Sequence, residues 1–209
     1  MRYLNRDGEL DGLLHPRTYG EDVRIALSLL DGALNGERAL YGSSELTTGR
    51  RLYAMLRQYA VHDLSALREK LGQAELDRLF WQPNLTAAAA FAHVLRDRSG
   101  GRELVVTPAS FSAPGWGQSE YLAFWETLIR TRFKAVFFND GWEYSNGCAF
   151  EFAVAQSEAL PTFDAAGEPL ARAAGIERLT TAARELAGGG FDTAGLRRAL
   201  TWLGVSLPA

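Results

Sequence analysis

The sequence predicts an α/β protein built on a parallel sheet, and three features carry that reading. Short β-rich runs begin near residues 38, 103, 134 and 160 of the 209-residue chain. The segments between them are long and carry apolar residues at helical spacing, as crossover connections between parallel strands require. The run AVFFND is apolar almost throughout and polar only at its end. That is the pattern of a strand covered on both faces.

The elements follow in order. After an irregular lead-in, VRIALSLLDGAL places Val23, Ile25, Ala26, Leu29, Leu30 and Leu34 near helical period, with Gly36 as the stop. Residues 38 to 42 read as the first strand, and TTGRRLYAMLRQYA as a helix entered through Thr47 or Thr48. The stretch 63–97 is helical by pattern. Asp63 is its N-cap, Leu64, Leu67 and Leu71 follow, and Gln82-Pro83-Asn84 is expected to break it. Gly100-Gly101 closes that helix, and ELVVTPA is a second strand stopped by Pro108. SEYLAFWETLIRTR is a helix with Tyr121, Phe124, Trp125, Leu128 and Ile129 on one side. AVFFND is the third strand, CAFEFAVAQSEA a helix and LPTFD the last strand. From about 172 two more helices flank Gly188-Gly189-Gly190. A single domain is expected, with an N-terminal helical extension over 1–36, a core over 37–171 and C-terminal helices over 172–209. The whole is a flavodoxin- or Rossmann-like sheet of about four or five strands, helices on both faces and extra helices at both ends.

Composition narrows the function. Hydrophobic residues make up 47%, enough for a packed core. The 22 basic and 25 acidic residues leave a net charge of -3, which is no footprint for a nucleic-acid polymer. Cys148 is the single cysteine, so no internal disulfide forms, and His15, His62 and His93 lack ligand spacing. No metal and no cofactor are expected. The start lacks a signal-like apolar core and no spanning run occurs, so the expectation is a cytoplasmic protein without a membrane partner.

Ligands of open parallel sheets bind beyond the carboxyl ends of the strands. Those ends are Tyr41-Gly42-Ser43-Ser44, Thr107-Pro108-Ala109-Ser110 and Asn139-Asp140-Gly141-Trp142. The third is the most informative. Ser145 or Asn146 is a helix N-cap, the backbone N–H groups of 146–148 are expected to face an anion, and Gly147 permits close approach. Glu151 has small or apolar neighbours at helical spacing, Gly147, Cys148, Val154 and Ala155, so it is expected on the inward face. By residue type alone, Glu151 reads as a solvated helix glutamate and Asp140 as a turn residue. On the same grounds Trp142 is a hydrophobic plug, the Arg50–Arg51 pair a solvated helix face, and Cys148 a small core residue rather than a nucleophile.

The segment Gly141-Trp142-Glu143-Tyr144-Ser145-Asn146-Gly147-Cys148-Ala149-Phe150-Glu151 resembles the nucleoside 2-deoxyribosyltransferase-like superfamily, in particular branches with a Gly-Trp-Glu-x-Ser-x-Gly-x-x-x-Glu signature. Tyr41-Gly42-Ser43 followed by Gly49-Arg50-Arg51 is similar to the first-strand loop of relatives that hydrolyse deoxynucleoside 5′-monophosphates. The resemblance covers about residues 38–164 and leaves both ends and much of 60–100 outside. A serine stands at 145 where the transferases usually carry aspartate, which makes hydrolysis at least as plausible as base exchange.

The resemblance implies cleavage of an N-glycosidic bond in a nucleoside or nucleoside 5′-monophosphate. Glu151 would be the nucleophile at C1′, and Asp140, or else Glu143 or Glu126, the acid for the leaving base. Trp142 or Trp116 would stack on the base. The helix start at Ser145, Asn146 and Gly147, with Arg50 or Arg51, would neutralise a phosphate, and Tyr41, Gly42 and Ser43 would line the same site. Two alternatives stand beside it: a nucleotide-sensing module without turnover, and a glycohydrolase acting on NAD or a signalling nucleotide. The resemblance also implies a homo-oligomer; the aromatic helix 119–131 is a candidate interface, and core packing explains its pattern equally well.

Overall fold

The computed structural model describes residues 20–207. Of the expected N-terminal extension, residues 1–19 lie outside that range. The described part begins with α1 (Glu21–Leu34), which ends where Asn35 turns left-handed. Among the described residues, four parallel strands form one sheet: β1 (Ala39–Ser43), β2 (Val105–Val106), β3 (Phe133–Phe138) and β4 (Thr162–Phe163). Their spatial order is β2-β1-β3-β4. Leu40 pairs with Val105 on one side and with Ala135 on the other, and Val136 pairs with Thr162. The chain therefore leaves β1 toward one edge and returns past it to the other. The point where the winding reverses lies between β1 and β3, where open α/β sheets bind ligands.

Helices cover both faces. Between β1 and β2 run α2 (Arg50–Tyr59), α3 (Leu64–Leu71), α4 (Gln73–Leu76) and α5 (Gln82–Arg98). Helix α6 (Gln118–Arg132) precedes β3, and α7 (Asn146–Ser157) follows it. The chain closes with α8 (Arg172–Gly188) and α9 (Ala194–Trp202). On one face Phe91, Ala92 and Leu95 of α5 pack with Val105, Leu40 and Phe137. On the other, a larger core joins Tyr41, Phe133 and Phe138 to α2, α6 and α7 and continues out to α8 and α9. No helix among the described residues is long and apolar enough to cross a membrane.

Two local expectations need correction. No break occurs at Gln82-Pro83-Asn84. The backbone kinks at Gly72 (φ +77°) and then passes through a π turn, Asp77–Trp81, directly into α5. Proline lacks the N–H that a continuous α-helix needs, and the wider π turn immediately before Pro83 absorbs that missing donor. The apolar side of α6, offered by its sequence as an oligomer interface, is occupied within the chain. Phe124, Trp125, Leu128 and Ile129 are all buried, and Phe111 stacks on Phe124 with ring centroids 4.5 Å apart.

Helix α7 is the interior element. Every residue from Cys148 to Ala155 is buried, because the sheet lies beneath it and α8 and α9 lie above. Gly175 of α8 allows that approach: a Cβ there would sit 2.1 Å from Phe152 Cζ. Gly175→Ala is expected to lower stability by about 2–3 kcal/mol in urea denaturation. Gly188→Ala, where a Cβ meets nothing within 4 Å, should be neutral or slightly stabilising.

Candidate active site

The site forms where β1, β3 and the start of α7 meet. Side chains of a strand alternate, so Tyr41 and Ser43 project together toward α7, while Gly42 faces the other way. A Cβ at Gly42 would meet Leu95 at 3.1 Å and Phe91 at 3.6 Å, so this glycine lets α5 approach the sheet and does not face the site. Glu151, about one and a half turns into α7, is only 5% exposed. The Tyr41 hydroxyl donates to its Oε1 at 2.7 Å, and the Ser43 hydroxyl donates to Oε2 at 2.6 Å. Burial pushes the carboxyl up to about 7, against the two hydroxyl bonds, which pull it down. Gly147 lies one turn earlier on the same face of α7. A Cβ there would meet nothing nearer than Ser145 Oγ at 3.9 Å, an ordinary contact distance.

A second carboxyl with a raised pKa sits in the loop that follows β1. Glu45, two residues past β1, is half-buried, and its Oε1 accepts the Arg50 backbone N–H at 3.1 Å. Burial raises it to about 7, outweighing the bond from Arg50 and the nearby guanidinium charges. Two glycines hold it in place. Gly49 (φ +141°) and Gly141 (φ +87°) adopt backbone shapes that side chains disfavour, and a Cβ at either would strike the Glu45 carboxylate, at 2.3 Å from Cδ and 2.7 Å from Oε1 respectively. Glu45 thus spans the gap between the β1 and β3 loops. Burial lifts the Cys148 thiol far above its usual range, and the charges of Glu151 and, more weakly, Glu45 lift it further. This thiol is protonated and cannot serve as a thiolate nucleophile.

The helix start differs from the expected anion cradle. Ser145 is the N-cap as expected, its Oγ accepting from the Cys148 N–H at 3.4 Å. The Asn146 N–H, however, donates to Thr48 Oγ1 at 2.9 Å, and the Thr48 hydroxyl donates to Ser145 Oγ at 3.4 Å. Two of the three N–H groups expected to face an anion are therefore satisfied by side chains. The Asn146 side chain packs on α9, its Oδ1 2.4 Å from where a Gly195 Cβ would stand.

The arginines are engaged as well. Arg50 Nη2 pairs with Glu143 Oε1 at 2.7 Å, and its guanidinium lies 4.9 Å from the Tyr144 ring centre. Arg51 Nε donates to Asn84 Oδ1 at 3.0 Å, and Asn84 Nδ2 donates to the Leu46 carbonyl oxygen at 3.0 Å.

Neither tryptophan offers a stacking face. Trp142 is 1% exposed, its ring against Phe138 and Phe152. Trp116 is buried against Phe111, Tyr121 and Phe124. The acid candidates also sort differently. Asp140 is exposed, because the turn closed by the Trp142 N–H on the Asn139 carbonyl oxygen throws it outward. Glu126 bonds Arg130, which in turn pairs with Glu158 at the far end of α7, well away from Ser145. Glu143 is buried, with Oε1 neutralised by Arg50 and Oε2 without a hydrogen-bond partner. Glu45 and Thr48 complete the site. Glu45 was not singled out from the sequence, its available signal being position alone in the loop just past the first strand. Thr47 or Thr48 was expected to open α2, but Gly49 is the N-cap there and Thr48 binds the start of α7 instead.

Tyr41→Phe removes one of the two bonds that favour the ionised form of Glu151, so its pKa is expected to rise further above about 7. Titration of the Glu151 side-chain carbon by NMR checks the shift.

Buried polar atoms without partners gather around these strand ends: Ser44 Oγ, Thr107 Oγ1, Glu143 Oε2, Asn146 Oδ1 and Trp142 Nε1. Such atoms are uncommon in folded proteins and concentrate where a ligand or water belongs. No group of three or more His, Cys, Asp or Glu among the described residues could hold a metal ion. Comparison of the chain with protein-family models, with curated proteins and with solved structures found no match.

Proposed function

We propose that this protein cleaves the N-glycosidic bond of a nucleoside or nucleoside 5′-monophosphate, with Glu151 as the nucleophile at C1′. The observation that carries the reading is a buried carboxyl at the reversal point of the sheet, held by Tyr41 and Ser43 and raised to about 7. A carboxylate so placed stabilises an oxocarbenium-like sugar or attacks it to form a glycosyl-enzyme. Glu45 replaces Asp140 as the acid for the leaving base: it is half-buried, raised to about 7 and fixed between Gly49 and Gly141. Two carboxyls at these strand ends with pKa values near neutrality suit acid–base work at physiological pH. Tyr41 and Ser43 orient the nucleophile. A substrate phosphate would have to draw Arg50 away from Glu143.

The test is chromatography of a nucleoside and nucleotide panel after incubation, with Glu151→Gln protein as control. Free base released by the wild type alone supports the reading, and equal release by both refutes the assignment of Glu151. A second reading, a nucleotide-binding module without turnover, draws on the fact that both Glu151 oxygens are already occupied by hydroxyl donors. It predicts saturable binding of a panel member with no base released.

A further inference from the structure

A separate cavity lies on the opposite face of the sheet from Glu151. It occupies about 340 Å³ between α5 and the loop that follows β2, and it opens to solvent. Its apolar lining includes the small side chains of the buried Ala92, the half-buried Ala109 and the exposed Ala89. Three polar groups stand around it. Thr107 is 1% exposed, and its Oγ1 has no hydrogen-bond partner. Arg96 makes a long 3.5 Å contact with the Val105 carbonyl oxygen, and it enters no ion pair among the described residues. His93 lies one turn before Arg96 on the same side of α5, and it is exposed.

A buried hydroxyl without a partner is costly and concave sites commonly use such groups to orient a ligand. Here the hydroxyl is accompanied by a guanidinium with no carboxylate to neutralise it, while alanines make up part of the lining. The donors suit an anionic oxygen, because arginine offers paired N–H groups to carboxylate or phosphate and a threonine hydroxyl adds a third. The alanine lining suits a compact apolar body. The volume exceeds what an inorganic anion fills.

We propose that this cavity is a binding site for a small organic anion, a carboxylate or phosphate monoester on a compact apolar body, with Arg96 and Thr107 on the anionic head and Ala89, Ala92 and Ala109 against the body. The proposal does not depend on any reaction at Glu151.

The test is a heteronuclear NMR titration of the full chain with benzoate, phenyl phosphate, neutral benzamide and inorganic phosphate. Saturable shifts of the Ala92, His93 and Thr107 amides by benzoate or phenyl phosphate are expected, and whichever binds tighter identifies the head group. Arg96→Met keeps the aliphatic stem and is expected to weaken that binding about tenfold or more. Thr107→Val keeps the shape and should weaken it several-fold. Absence of shifts up to about 10 mM, an affinity below which a site has no substance, overturns the proposal. So does equal binding of benzamide, or of either anion by Arg96→Met. Inorganic phosphate binding as tightly as phenyl phosphate removes the apolar lining from the recognition and overturns the proposed ligand class.

Discussion

Glu151→Gln is expected to abolish base release, by about 10³-fold or more, while making the protein more stable above neutral pH. The two effects share one cause. The amide cannot attack C1′, and loss of a nucleophile typically costs at least that factor. The folded protein holds the Glu151 proton up to about 7, whereas an ordinary glutamate releases it near 4.5. A group with a raised folded-state pKa contributes stability fully present below its unfolded value and lost as pH rises through the folded one. Above pH 7 the wild type therefore carries a buried charge whose cost is on the order of 3 kcal/mol. Glutamine is uncharged, and its amide can still meet one hydroxyl as acceptor and the other as donor. A rise in Tm of roughly 6–12 °C at pH 8, shrinking toward zero near pH 4, is the expected result by thermal unfolding. A variant that loses activity and also loses stability at pH 8 would contradict the assigned burial.

Glu45→Gln is expected to lower base release by about 10²–10⁴-fold, the usual range for removal of a general acid. Its effect should also depend on the leaving group. A nucleoside whose base is already cationic, such as an N7-methylated purine, needs no protonation and should lose far less. The wild-type rate should rise with pH as Glu151 ionises and fall as Glu45 deprotonates, both near 7. Removing Glu45 leaves the rising limb and abolishes the falling one. Steady-state rates across pH for both substrates check this, and an equal loss on both would show that Glu45 only supports the loops.

The sheet and its strand ends were legible because a parallel sheet with long crossovers writes itself as short apolar runs between helical stretches. Ser145 was legible as a cap because capping is local, and the inward face of Glu151 followed from its small neighbours. What failed to show was non-local. Thr48 satisfies the α7 start from 98 positions away, so nothing near Asn146 announced that its N–H was taken. Glu45 is held, half-buried, by glycines on two loops, one of them Gly141 beyond β3. Trp116 and Trp142 illustrate a different limit. An aromatic ring near a strand end has the same sequence signature whether it offers a platform or fills the interior, and here both rings fill the interior.

The enclosure of α7 has a consequence for how the chain can be divided. Its outer surface, including Phe150 against Trp202 and Phe152 against Gly175, is covered by segments that follow it by twenty to fifty residues. On a ribosome, α7 emerges before its cover does, so Phe150 and Phe152 stay uncovered until α8 and α9 have followed. Helices α8 and α9 thus complete the burial of α7, and a shortened protein ending near 171 should collect in inclusion bodies.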